Sequence, residues 1–113
     1  MRKTATEGRR SARGSVDLLV LKTLALGPQH GWGMSLRIRE ISRDVFQVNT
    51  SSLYPALQRL EEHGWVSSEW GVAGAKRQAK FYRLTQSGVL QLERETANWA
   101  QIVAAMSRIL ETN

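Results

Sequence analysis

Apolar positions recur along this chain with two different periods, and the changes of period outline its elements. Residues 15–27, SVDLLVLKTLALG, place Leu18, Leu21 and Ala25 beside Leu19 and Leu26 at helical spacing. Ser15 is a plausible N-cap, Asp17 suits the first turn, and Gly27-Pro28 stops the element. The Val/Leu-rich run could also be a buried strand, but its length and alanine content favour a helix. Gln29 to Gly33 read as a tight turn, and residues 34–43 as a second short helix with Met34, Ile38 and Ile41 inward. Phe46-Gln47-Val48 alternates briefly, which suits one or two strand pairs. A third helix is predicted from about Ser51 to Glu62. Leu53, Leu57 and Leu60 form its buried stripe. Asn49, Thr50 or Ser51 can cap it, Pro55 is expected near its first turn, and His63-Gly64 ends it.

The period then shortens. Trp65 to Trp70 reads as a strand, Gly71 to Ala79 as a loop, and Lys80 to Leu84 as the returning strand of a wide hairpin. Thr85 is the predicted cap of a last helix, with Gly88 in its first turn. Val89, Leu92, Thr96, Trp99, Val103, Met106 and Leu110 follow at alternating spacings of 3 and 4. Leu90, Ala97 and Ala104 widen that apolar face. The rest of a 113-residue chain is too small to cover roughly 30 Å of such helix, so a second copy is expected to cover it. Closure of the chain's own core is the alternative.

Charge sharpens this outline because it is unevenly placed. The formal net charge is +6. Arg2, Lys3, Arg9, Arg10 and Arg13 crowd residues 1–14, which lack periodicity and read as a flexible basic arm. Such an arm either aids solubility or adds phosphate contacts. Lys76, Arg77, Lys80 and Arg83 lie in residues 71–84 with no acid among them. There is no cysteine, no run of about 18 apolar residues and no secretory h-region, so a soluble, cytoplasmic protein is expected. His30 and His63 lack metal-ligand spacing, and no acid, base and nucleophile converge in the pattern. No metal, cofactor or enzymatic activity is expected.

What remains is a helix pair, a third helix with small polar residues at its start, and a basic hairpin. That order builds a winged helix-turn-helix, here in a mainly α chain with a small β-hairpin and a long C-terminal dimerisation helix. Off the Leu stripe, the third helix offers Thr50, Ser51, Ser52, Tyr54, Gln58 and Arg59 for base edges and phosphates. Tyr54 could equally cover the helix junction. Lys76, Arg77, Gln78 and Lys80 on the wing suit phosphate or minor-groove contact. Trp32 and Trp65 are expected in the core. Trp99, on the heptad face, could approach its copy in a dimer and border a cleft for a planar ligand. The divisions are an arm at 1–14, a DNA-binding domain at 15–85 and a dimerisation helix at 86–113.

Three segments also carry a family resemblance: LLVLKTLALGPQHGWGMSLRI, SSLYPALQRLEEHGWVSSEW and KFYRLTQSG. With them the chain resembles the PadR family of bacterial transcriptional regulators over roughly residues 15–110. Its single C-terminal helix resembles the short subfamily. The resemblance implies a winged helix domain followed by a dimerisation region. Members typically repress genes of detoxification, efflux or phenolic-acid metabolism, some on sensing a small aromatic compound. By resemblance, Ser51, Ser52, Tyr54 and Gln58 fall on the recognition helix, and Lys76, Arg77 and Lys80 on the wing. In one branch of short members a tryptophan near position 99 flanks a drug pocket at the dimer seam, and Trp99 matches it by place. Gly31-Trp32-Gly33-Met34 departs from the aromatic-Gly-aromatic pattern often found after the first helix. The implied function is a homodimeric repressor on two-fold or pseudo-palindromic double-stranded DNA, with a small aromatic effector. The same fold could instead serve as a protein–protein assembly module.

Overall fold

The structure, a computed structural model, describes residues 15–113, so the basic arm lies outside the described residues. Helix α1 covers 15–25 of them. It is followed by β1 (Gln29–His30), α2 (Gly31–Ile41), α3 (Thr50–Glu62), β2 (Val66–Ala73), β3 (Arg77–Leu84) and α4 (Gln86–Glu111). The strands form one antiparallel sheet in the order β1-β3-β2. The hairpin runs in register from Val66↔Leu84 to Ala73↔Arg77, so the strands are longer than expected and the loop shorter. Gly74 and Lys76, both at positive φ, close that loop.

The core is built from one face of each of the first three helices. Val20, Leu21 and Leu24 of α1 meet Met34 of α2, Leu53, Leu57 and Leu60 of α3, and Val66 and Tyr82 of the sheet. The predicted Leu stripe of α3 is therefore the buried one, joined by Ala56. On α1 the expected face is rotated. Leu26 and Ala25 are exposed, and buried Thr23 satisfies its hydroxyl on the Leu19 carbonyl at 2.7 Å. Ser15 is already helical.

Several local expectations give way to tertiary contacts. Gln29-His30 is an edge strand on β3, pairing with Tyr82 and Phe81, and α2 begins at Gly31. His30 caps that helix, its Nδ1 accepting from the Gly33 N–H at 3.0 Å. Residues 46–48 are not a strand. Ser42 Oγ accepts the Phe46 N–H at 3.0 Å and Ser35 donates its hydroxyl proton to the Val48 carbonyl, which replaces ladder bonds with side-chain bonds. Ile41 is 62% exposed, because Arg43 and Asp44 turn to positive φ and end α2 there. Pro55 stands in the second turn of α3, beyond the N–H groups that a helix leaves free, so the Ser51 carbonyl loses its i+4 donor.

Thr85 ties the end of α3, the sheet and α4 together. Its Oγ1 donates to the Gly64 carbonyl at 2.6 Å and accepts from the Gly88 N–H at 3.0 Å, and its N–H donates to the Trp65 carbonyl at 3.1 Å. This is the cap expected for α4. Beyond it α4 runs 26 residues, about 39 Å. Leu92 packs on the core, and Ala105 is the one residue beyond Thr96 that is not exposed.

Candidate nucleic-acid interface

The burial of Leu53, Ala56, Leu57 and Leu60 fixes which way the rest of α3 points. Thr50, Ser51, Ser52, Tyr54 and Gln58 are all exposed. Tyr54 and Gln58 share a groove with Lys80 and Tyr82 of β3. On the wing, Lys76, Arg77, Gln78 and Lys80 are exposed as well. Lys76 occupies the tip, and the Lys80 ammonium lies 5.9 Å from the centre of the Tyr82 ring. Helix and wing thus form the two walls of one concave surface.

Arg59 does not join this surface. Its Nη2 donates to Asp17 Oδ1 of α1 at 2.8 Å, with the two side chains 33% and 18% exposed. The structure thus gives this arginine an intramolecular partner. Arg83 likewise pairs with Glu69 across the hairpin at 2.7 Å, in an exposed geometry of little energetic value. The acids of α3 lie at its C-terminal end. Glu61 accepts from the Ser68 hydroxyl at 2.6 Å and Glu62 is exposed beside it. A polyanion is therefore favoured at the start of α3, where N–H groups are free, and disfavoured at its end. Burial, with Glu61 and Tyr54 adding to it, pushes the Tyr82 phenol up and keeps it neutral.

The aromatic residues are the part that sequence reasoning missed. Trp32, expected in the core, is 65% exposed, and Trp70 is 70% exposed. Trp65 is half-buried at the core margin, its indole stacked on His63 at 4.4 Å. His30 stacks on Trp32 at 6.2 Å with 6° between planes and meets Phe81 edge-on at 5.3 Å. Trp32, Tyr54 and Trp70 border a cleft of about 650 Å³ between the start of α2, α3 and the wing. No local periodicity announces this grouping, since it depends on β1 joining the sheet edge.

On α4, Val89, Trp99, Val103, Met106 and Leu110 are exposed, together with Thr96, while Leu92 reaches the core. Ile102 and Ile109 extend the apolar surface to a flank outside the heptad spacing. Glu95 lies toward α1. One carboxyl oxygen is buried without a hydrogen-bond partner, and desolvation and the Asp17 charge raise its pKa while Gln91 opposes them. No described helix is long and apolar enough to cross a membrane. Among the described residues no group of three or more potential ligands could hold a metal ion.

Comparison with known proteins agrees with this geometry. Residues 20–94 match the family model described as the transcriptional regulator PadR-like family. A transcriptional regulator of Mycobacterium tuberculosis is 36% identical over 76 residues, 67% of each chain. A PadR family transcriptional regulator from Eggerthella lenta superposes with a TM-score of 0.76 at 28% identity, covering 99% of this chain and 96% of that one. A transcriptional regulator from Clostridium thermocellum shares the fold at a TM-score of 0.81 and 24% identity, covering 90% of this chain and 99% of the other.

Proposed function

Because the chain belongs to the PadR-like family of transcriptional regulators, and so is a DNA-binding regulator and not an enzyme, we propose that it acts as a homodimeric, sequence-specific repressor in the cytoplasm. The observation that carries this reading is the shared exposure of the polar start of α3 and the cations of the wing on one concave surface. Thr50, Ser51, Ser52, Tyr54 and Gln58 read bases or fix the register of the helix in the major groove. Lys76, Arg77, Gln78 and Lys80 hold the flanking phosphates. Residues 15–85 form the reading unit and residues 86–113 the dimerisation helix. Val89, Leu92, Thr96, Trp99, Val103, Met106 and Leu110 form its seam. The exposed apolar surface of α4 supports this pairing, because a monomer would leave it in water. Two copies then place their α3 helices in half-sites about 34–36 Å apart. A small aromatic effector beside Trp99 at the seam completes the reading, supported by the indole's partial exposure on that face.

The test is a titration of labelled duplexes from the DNA upstream of the gene at physiological salt. One duplex with two-fold related half-sites is expected to bind far more tightly than a scrambled one. Equal affinity for all duplexes would overturn the sequence-specific reading. Planar aromatics should quench emission in the parent and not in Trp99→Ala, and identical quenching in both would remove the seam effector.

A further inference from the structure

Helix α4 is anchored to its own domain at two places that differ in kind. At its root, Thr85 Oγ1 donates to the Gly64 carbonyl at 2.6 Å and accepts the Gly88 N–H at 3.0 Å, while the Thr85 N–H donates to the Trp65 carbonyl at 3.1 Å. Both carbonyls belong to the turn that directly follows α3, so the root is a pivot between the reading helix and α4. About 10 Å further along α4, Glu95 faces Asp17 of α1, and Asp17 is held at 2.8 Å by Arg59 of α3. We infer that Asp17, Arg59 and Glu95 form an electrostatic brace that fixes the angle between α3 and α4, and so sets the half-site spacing that the dimer accepts. The brace stands on contacts within one chain. Its consequence for spacing rests on the dimeric, DNA-binding reading above.

The three groups sit where charge is felt. The Arg59 and Asp17 side chains are mostly buried, and a pair placed so is screened far less than one in open solvent. One Glu95 carboxyl oxygen is buried without a hydrogen-bond partner, and the Asp17 charge adds repulsion to the cost of its desolvation. The Arg59 guanidinium neutralises Asp17 and so lets α4 close on α1. Without it, two carboxyls face each other between the helices, and separation of α4 from α1 is their relief. Leu92 also packs on the core, but an apolar contact has no preferred direction. Past Glu95, Ala105 is the one residue of α4 that is not exposed, so the direction of the remaining helix is decided at the brace.

The lever arms give the scale. The pivot lies about 10 Å from the brace and about 20 Å from the reading end of α3. An opening of about 1 Å at the brace then moves that end by about 2 Å, and two-fold symmetry makes this up to about 4 Å between half-sites. One base step is about 3.4 Å, so a small change at three side chains is worth one base pair of spacing.

The chain has no cysteine, so Ser52→Cys on α3 and Arg108→Cys on α4, both exposed, can each carry a nitroxide, and pulsed dipolar spectroscopy reads the distance between them. Labelled chains are diluted into unlabelled ones, so each distance belongs to one protomer and needs neither DNA nor a dimer. The parent should give one narrow distribution. Arg59→Ala should widen it or shift it by about 2 Å or more. Adding Glu95→Gln to Arg59→Ala removes the opposing charge and should restore the parent distribution. Matching distributions in the parent and Arg59→Ala would overturn the brace. A wide distribution that Glu95→Gln fails to narrow would overturn it equally, by making Arg59 a plain packing contact. The unlabelled proteins are then titrated with duplexes whose half-sites are moved one base pair at a time. The parent should favour one spacing several-fold. Arg59→Ala should lose most of that preference while keeping its salt slope and its choice of half-site sequence. An unchanged spacing profile in Arg59→Ala would overturn the link to spacing. If no duplex binds specifically, the DNA-binding reading fails by itself, and the distances still decide the brace.

Discussion

The phenol of Tyr54 lies across Gly31 so closely that a Cβ at residue 31 would sit 2.6 Å from its hydroxyl oxygen. Helix α3 and the start of α2 are thereby coupled through one half-exposed ring. Gly31→Ala must swing that ring outward, toward the surface assigned to DNA. Thermal melting should change little, since alanine's better helix propensity of up to about 1 kcal/mol offsets the displacement. Duplex affinity should fall several-fold. Unchanged affinity with an unchanged melt would mean that Tyr54 has no part in positioning DNA.

Gly88 makes the opposite case. A Cβ there would overlap the Trp65 carbonyl oxygen, a backbone atom that also receives the Thr85 N–H and cannot step aside. Gly88→Ala should therefore cost roughly 1–3 kcal/mol or more in chemical denaturation, well beyond the small gain in helix propensity.

The cations divide into those free for phosphate and those already paired. Lys76→Ala combined with Arg77→Ala should weaken binding to all duplexes. The slope of log affinity against log salt should fall by about 0.9 for each phosphate that is no longer neutralised. Arg59→Ala should leave that slope as it was. It should instead cost roughly 1 kcal/mol in stability, because Asp17 loses its partner at 2.8 Å. A lowered slope in Arg59→Ala would return this arginine to the DNA surface.

Glu95 gives a pH dependence whose sign follows from its burial. Desolvation first, then the Asp17 charge, raise its folded pKa above the ordinary carboxylate value. The folded chain then holds a proton that the unfolded chain releases, so this group makes stability fall as pH rises through that raised value. Glu95→Gln should raise the denaturation midpoint at neutral pH, and the gain should vanish below the ordinary carboxylate range. Parallel pH profiles for the two proteins would show that the carboxyl is fully solvated in solution.

The apolar surface of α4 makes dimerisation a direct measurement. Met106→Asp and Val103→Asp place a charge on exposed positions of that face, where neither disturbs the core. Sedimentation should show a monomer with an intact melt for the domain. A dimer that survives both substitutions would place the two-fold contact elsewhere.

How much of this was legible depended on the length of each pattern. The stripe of Leu53, Leu57 and Leu60 spans two turns, and the core uses all three residues. The cap at Thr85 was legible because capping is a local hydrogen bond. Gln29-His30 was not, since a two-residue strand carries no period and exists only because β3 has an open edge. Trp32 was misplaced for a related reason. Hydrophobicity suggests burial, yet the stacking on His30, itself held by β1, keeps the indole outside. Arg59 looked like its polar neighbours on α3 until the fold brought Asp17, 42 positions away, against it.

By itself, the sequence determined the helices and the hairpin, their order and the basic character of that hairpin, because propensity, capping and periodicity act over a few residues. The outer apolar face of α4 was determined in the same way, since the pattern runs longer than the chain can cover. Only the tertiary structure decided which cations stay free, where the tryptophans stand, and that Tyr54, Trp32 and Trp70 share one cleft with the wing. Those outcomes depend on contacts between residues far apart in the chain, whose geometry appears only once β1, β3 and α3 are packed together.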